Sequence, residues 1–462
     1  MKKTILLSVI LVIALIRNYG NGFEIKIFIP HASYDSLFIQ SYDFENQWQV
    51  LYALPSSPAV VFKSKEKLNP GIFILSAGRE QILTHFLISD TERQTFEIHI
   101  DEHGTRFRGS PENSANTEYI RKMQEFEEIY SALDKQFRKM QASTLAQAAR
   151  REVVDSLVRE VEITDNRKSA FQQEIISGNQ GTLLASIVRA SLEMKNPPKE
   201  YFTDKKLMEG YYTAHFFDHF PWEDERLMTT PVAYNKFRHF TMLLLQMDSP
   251  QANIFLSQTL RQIHPYPFAY RTLFGFLEEF IGSQSSPYWR EDLYITMLKD
   301  AVACLHYGEP EKIRYKAVLL RLDKNHPGTV LPNFTMIVSS GDTIDLYSID
   351  AEYMLLDLQN PDCPTCKELM EKLDGLKEVR KAIEEKRLKV LTVYFEEDEK
   401  LWRDYLVTAN PDYIHGWDFY NRIEKEKLFD TEMIPYMFLL DKDKRVIKKD
   451  IYWDEIENYI QK

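Results

Sequence analysis

Few residues in this chain are placed for covalent chemistry, and two of them stand three positions apart. Cys363-Pro364-Thr365-Cys366 holds two of the chain's three cysteines, and Cys304 is the third. A strongly apolar run, Tyr353 to Leu358, ends shortly before the pair. Leu369, Met370, Leu373, Leu376, Val379 and Ile383 follow it as a helical stripe. The cysteines therefore stand where a strand ends and a helix begins. Unpaired backbone N–H groups and the helix dipole both favour negative charge at such a point. Cys363 feels this most and is expected to have a lowered pKa, which makes it the nucleophile, since the thiolate is the attacking species. Cys366, one turn on, can reach back to resolve a mixed disulfide. Two other readings remain open. The pair could be half of a zinc site, which needs two further Cys or His ligands, or an inert structural disulfide.

Other polar clusters say less. His215-Phe216-Phe217-Asp218-His219 puts two histidines at helical i, i+4 spacing, with Glu223 and Asp224 nearby. That pattern suits either a metal site or an aromatic-rich helix end packed in a core and terminated by Pro221. Cys304 follows Met297, Ala301 and Val302 at roughly helical spacing and reads as a buried, inert thiol. No metal and no cofactor is expected.

The chain is long for a single core. Its 462 residues suit two to four domains. The hydrophobic share of 44% and charged share of 27% fit a folded protein. A formal net charge of -12, with no Lys/Arg-rich patch, argues against nucleic-acid binding. Lys2 and Lys3, the largely apolar stretch from Ile5 to Ile16, and Gly20 and Gly22 before Phe23 read as an export signal over 1–22. The apolar stretch is short for a spanning helix, which needs about 20 residues, although an uncleaved anchor is the alternative. No further apolar run of membrane length occurs, so no membrane span is expected after cleavage. A periplasmic or cell-envelope location follows.

Three segments are expected beyond the signal. Residues 23–110 read as all-β. The strand candidates are Glu24 to Ile29, Leu37 to Tyr42, Ala59 to Phe62, Ile72 to Leu75 and Thr95 to Ile100. Pro30, Pro55, Pro58 and Asn69-Pro70-Gly71 separate them, which indicates a small sandwich or barrel. Residues 111–326 change to helical period, as in Met123, Phe126, Ile129, Tyr130 and Leu133, with breaks at Asn196-Pro197-Pro198 and His264-Pro265-Tyr266-Pro267. Residues 327–462 read as α/β. A hairpin spans Phe334 to Val338 and Thr343 to Leu346, and buried strands run from Tyr353 to Leu358 and Val390 to Phe395. A helix and loop fill about 398 to 431. A second hairpin pairs Met437 to Leu440 with Val446 to Lys448, and a last helix lies near Trp453 to Ile460.

Strand, Cys-x-x-Cys, helix, and later Ile434-Pro435 ahead of a strand hairpin, resemble the thioredoxin superfamily. The hairpin before the first core strand, and Leu439-Leu440-Asp441-Lys442-Asp443, resemble its exported TlpA/ResA-like branch. The resemblance covers about residues 328–462. It implies that Pro435 is cis, faces the two sulfurs, keeps metals off them and helps to dock an extended substrate. It also points to Asp357, six residues before Cys363, since many thioredoxins have a buried acid near this position. A carboxyl in the run Met354-Leu355-Leu356-Asp357-Leu358 should have a raised pKa through desolvation and could take the proton of Cys366. The alternative is an acid at the strand's polar end, bonded to backbone. The chain departs from the family in two places. Asp362 replaces the usual aromatic residue before the first cysteine, and Pro-Thr replaces the commoner Gly-Pro. A reductant or isomerase is expected rather than a strong oxidant. Asp224-Glu225-Arg226-Leu227 with Thr230-Pro231-Val232 resembles an uncharacterised helical domain that precedes thioredoxin-like domains in some exported bacterial proteins. The β segment resembles their N-terminal β domain.

The expectation is a multi-domain chain with a sandwich-like β domain, an all-α middle and a C-terminal thioredoxin-like α/β sandwich. Its expected activity is thiol–disulfide exchange on exported proteins, with Cys363, Cys366, Pro435 and Asp357 as catalytic residues. Its partners would be the thiols and disulfides of those proteins and an upstream electron donor. An envelope binding or scaffold protein with an auxiliary thioredoxin-like part is the alternative. A peroxidase ranks last, because the Pro-x-x-x-Thr-x-x-Cys arrangement is absent.

Overall fold

A computed structural model describes residues 22–29, 34–44, 46–53, 59–78, 81–143, 147–283, 286–429, 431 and 434–460. The export-signal reading falls, apart from Gly22, on residues outside these, as do the turns at Pro30, Pro55 and Pro58. The chain divides into two compact units. The first is the described chain through Gln251 with Arg261–Phe276; the second is Ala252–Leu260 with Leu277–Lys462.

The first unit begins with strands β1 (Phe23–Phe28), β2 (Leu37–Asp43), β3 (Asn46–Ala53), β4 (Val60–Ser64), β5 (Gly71–Ala77), β6 (Gln81–Ile88), β7 (Thr95–Asp101) and β8 (Gly104–Arg108). They form two four-stranded sheets, in the orders β4-β1-β7-β8 and β3-β2-β5-β6. Strand β1 alternates buried and half-buried residues, so Phe23, Ile25 and Ile27 point inward. They meet Ile39, Leu75, Phe86 and Ile98 in one core shared by both sheets, which makes a sandwich. Strands β3, β6 and β8 escaped the sequence reading. In β8, Gly-Thr-Arg-Phe-Arg holds a single apolar side chain, because an edge strand has little to bury.

Helices then follow: α1 (Pro111–Gln141), α2 (Gln147–Gly178), α3 (Leu183–Ala190), α4 (Lys205–His215), α5 (Pro231–Gln246), α6 (Ser249–Ile263) and α7 (Pro267–Ile281). The two Pro-containing breaks fall between helices, as their fixed φ and missing N–H require. Ser110 caps α1 by accepting from the Asn113 N–H at 3.3 Å. Asn113 also brackets Leu87 of β6. Its amide donates to the Leu87 carbonyl at 2.8 Å, and its Oδ1 accepts from the Leu87 N–H at 2.7 Å.

The second unit holds α8 (Glu291–Ala303), α9 (Glu309–Leu322) and a seven-stranded sheet. The sheet elements are β9 (Thr335–Val338), β10 (Thr343–Asp345), β11 (Tyr353–Gln359), β12 (Leu388–Tyr394), β13 (Ile414–Trp417), β14 (Tyr436–Asp441) and β15 (Val446–Lys449). The strand order is β10-β9-β13-β12-β11-β14-β15. Helices α10 (Pro364–Gly375), α11 (Lys377–Glu384), α12 (Glu399–Leu406), α13 (Arg422–Lys425) and α14 (Trp453–Ile460) complete the unit. Strand β11 is parallel to β12 and antiparallel to β14. Its side chains divide by the two-residue period. Met354, Leu356 and Leu358 face a core with Phe334, Met336 and Phe438, whereas Leu355 faces Leu373, Val379 and Ile456 of α10, α11 and α14. Strand β13 was read from sequence as loop, because Ile-His-Gly-Trp is short and carries a glycine. That glycine suits the close packing here, for a Cβ on Gly416 would lie 2.5 Å from the Met336 sulfur.

Candidate active site

Strand β11 ends at Gln359, and a tight loop leads into α10. Asn360 shapes the loop. Its Oδ1 accepts from the Asp362 N–H at 2.8 Å, and its carbonyl accepts from the Cys363 N–H at 3.0 Å. Its amide reaches the Glu396 carboxylate at 2.8 Å. Pro364 then occupies the first helical position, where a missing N–H costs nothing. Cys363 is left as the N-cap, with extended backbone and its sulfur accepting from the Cys366 N–H at 3.3 Å.

Both cysteines are free thiols in different surroundings. Cys363 is half-buried, while Cys366 is 1% exposed. Burial, the hydrogen bond to Cys363 and the nearby Asp357 carboxyl push the Cys366 thiol above its ordinary range. A backbone hydrogen bond from Asn360 acts in the opposite sense.

Asp357 is 0% exposed, and neither carboxyl oxygen has a hydrogen-bond partner among the described residues. The reading of an acid bonded to backbone does not describe it. Burial lifts its pKa to about 8. The strand period explains its position: Asp357 shares the α10-facing side of the sheet with Leu355, so the carboxyl lies beneath the helix that carries Cys366.

Sequence reasoning missed the polar groups beside this acid. Asp357 is in register with Thr392 on β12, and Thr392 with His415 on β13. The Thr392 hydroxyl and His415 Nδ1 are 2.8 Å apart, and His415 Nε2 lies 2.8 Å from the Asn410 carbonyl. Burial lowers the His415 pKa. Gln359 donates to the Tyr405 hydroxyl at 3.0 Å. Burial first, with Asp357 contributing, raises the Tyr405 pKa. Aligning Asp357 and Thr392 at equal depth in their strands would have exposed this row.

The Ile434–Pro435 bond is cis. The Cys363 sulfur lies 4.0 Å from the Ile434 carbonyl oxygen, so the loop carrying Pro435 stands against the N-terminal end of α10. Pro435 also lines a groove of about 320 Å³ with Thr365, Leu369, Met437, Ile451 and Trp453.

The remaining candidates have partners of their own. The His215 Nδ1 pairs with Asp218 at 2.6 Å, Glu223 with Arg189 at 2.9 Å, and Asp224 with Arg226 at 2.7 Å. Among the described residues no group of His, Cys, Asp and Glu is arranged to hold a metal ion. Cys304 ends α8 and is 6% exposed, with its thiol 3.4 Å from the Ala301 carbonyl.

The family model described as thioredoxin-like matches residues 350–446. A domain of unknown function, DUF5106, matches residues 160–325. No curated protein matches the chain. Among solved structures, a thioredoxin-like protein from Bacteroides caccae is 27% identical, with a TM-score of 0.55 over 59% of this chain and 98% of that one. The C-terminal domain of an uncharacterized protein from Bacteroides fragilis is 34% identical, with a TM-score of 0.29 over 30% of this chain and 99% of that one. The thioredoxin domain of a thiol-disulfide oxidoreductase from Bacteroides vulgatus is 16% identical, with a TM-score of 0.26 over 29% of this chain and 95% of that one.

Proposed function

We propose that this chain, whose C-terminal domain is thioredoxin-like, works as a thiol–disulfide oxidoreductase through Cys363 and Cys366. One observation carries the reading: a half-buried cysteine caps a helix, and a fully buried partner one turn on lies above an unpartnered carboxyl.

In the proposed cycle the Cys363 thiolate attacks a client disulfide. A Cys363–client disulfide forms, and one client sulfur leaves as a thiolate. The Cys366 thiol then gives its proton to the ionised fraction of Asp357, directly or through one water. The Cys366 thiolate attacks the Cys363 sulfur, the second client sulfur leaves, and a Cys363–Cys366 disulfide remains. The client gains two electrons, which a thiol donor later returns to the pair. Pro435 shields the sulfurs on one side and, with Trp453 and Ile451, offers an extended client a groove.

The clients are proposed to be exported proteins and the location the periplasm or envelope, supported by Lys2, Lys3 and the apolar stretch after them. Among the described residues no helix is long and apolar enough to cross a membrane. The domain limits 23–110, 111–326 and 327–462 are proposed on the same footing as the site residues. The testing experiment is insulin-disulfide reduction with dithiothreitol as donor, comparing the chain with Cys363→Ser and Cys366→Ser. Turnover above the donor's own rate, lost in both variants, supports the reading. Equal rates in all three would leave an envelope scaffold as the better account.

A further inference from the structure

The region matched by DUF5106 contains a cavity of about 430 Å³ among α3, α4 and α5, within the usual range for small-molecule sites. Leu192, Met194, Tyr212, Phe220, Leu243 and Met247 supply most of its apolar wall. Such a wall needs few polar groups to orient a ligand, and this one has a cation.

That cation is Lys236 on α5. Its ammonium sits 4.0 Å from the centre of the Phe216 ring and 5.7 Å from that of Phe217. Among the described residues it makes no ion pair and no hydrogen bond. The side chain is half-buried, so its ammonium borders the cavity beside aromatic rings, with no counter-charge among the described residues. Carboxylates do line the cavity, but other cations hold them. Glu193 pairs with Lys168, and Glu209 with Lys205 at 3.5 Å. His215 is engaged by Asp218 at 2.6 Å, and His219 and His239 complete the titratable lining. His239 packs edge-on against Phe216 at 5.2 Å.

We propose that this cavity binds a small monocarboxylate with an apolar body, the carboxylate meeting Lys236 and the body lying against the aromatic and aliphatic wall. The occupant is anionic because the cavity's unmatched charge is positive. It is apolar-bodied because the remaining wall offers dispersion and little hydrogen bonding. Two consequences of burial agree with this. Burial alone pushes Lys236 down to about 8, and burial together with the Lys236 charge lowers His239. An entering carboxylate stabilises the protonated lysine, so binding is linked to proton uptake.

Octanoate is the probe, titrated calorimetrically into the full chain, with octanol and octylammonium as controls. The expected order of affinity is octanoate, then octanol, with octylammonium weakest. Lys236→Met should weaken octanoate by about tenfold or more and leave octanol nearly unchanged. Lys236→Arg should retain octanoate binding. Wild-type affinity should fall by about tenfold from pH 7 to pH 9, while the probe stays ionised throughout. Octanol binding to Lys236→Met shows that the variant is folded; if that variant unfolds, the pH series and Lys236→Arg decide. Octylammonium binding as tightly as octanoate, an affinity flat across that pH range, or no octanoate binding would each overturn the proposal. None of these outcomes bears on the cysteine pair.

Discussion

The buried carboxyl of Asp357 lies on the central strand, beneath the helix that carries the buried Cys366 thiol. Each is an acid that burial keeps protonated. Once ionised, the Asp357 carboxylate can accept the Cys366 proton, which is what the proposed resolution of a mixed disulfide requires.

Resolution should therefore depend on Asp357 while the first attack does not. In stopped-flow measurements Asp357→Asn should leave mixed-disulfide formation within about twofold of wild type and slow its resolution by about 10²-fold. Wild-type resolution should accelerate as pH rises through about 8, where the carboxyl ionises, and the variant should lose that inflection. Equal resolution rates in both proteins across this range would reduce Asp357 to a structural acid.

The same residue sets a pH dependence of stability. Its folded pKa of about 8 stands above the unfolded value near 3.9. The stabilisation from holding that proton is fully present below about pH 3.9 and is lost as pH rises through about 8. Asp357→Asn should be more stable than wild type at pH 8, by on the order of a few kcal/mol, and the gap should close toward pH 4. Urea melts at several pH values check this. A variant less stable at pH 8 would show that the charged form has a partner.

Accessibility distinguishes the three thiols. With Cys366 at 1% and Cys304 at 6% exposure, Cys363 should take up iodoacetamide first in the reduced native chain. Peptide mapping after a short pulse should find Cys363 labelled about tenfold ahead of either other cysteine. Early label on Cys366 would reverse the assignment of nucleophile and resolver.

Much of the site was legible before any coordinates because local rules place it. An apolar strand, two cysteines three positions apart and a helical stripe mark a strand-to-helix junction by spacing alone. The buried strands read as unbroken apolar runs, so β11, β12 and β14 stood out, while Asp357 was singled out by the resemblance to thioredoxins. The groups around that acid come from distant parts of the chain. Thr392 and Tyr405 come near it, and His415 joins Thr392, through strand register and helix packing, which single-segment periodicity does not carry. Edge strands β3, β6 and β8, and the short β13, were lost for a related reason. Their conformation is imposed by neighbours rather than by their own apolar pattern.

Gly416 gives a direct test of that imposed packing. Gly416→Ala should destabilise the chain by about 1–3 kcal/mol, since its Cβ would meet the Met336 sulfur at 2.5 Å. Met336→Ala in the same chain should recover part of the loss, giving a favourable coupling in a double-mutant cycle of denaturant melts. Strict additivity would show that the contact is not the cause.

Strand β11 lies two strands in from β15 and four in from β10, with hydrogen-bonded neighbours on both sides. Amide protons there have no cheap route to solvent, because reaching them means parting β12 or β14. Native-state hydrogen exchange should find the amides of Leu355 to Leu358 released only with unfolding of the whole sheet, while those of Thr343–Asp345 fray far sooner. Redox cycling of the pair should leave that protection pattern unchanged.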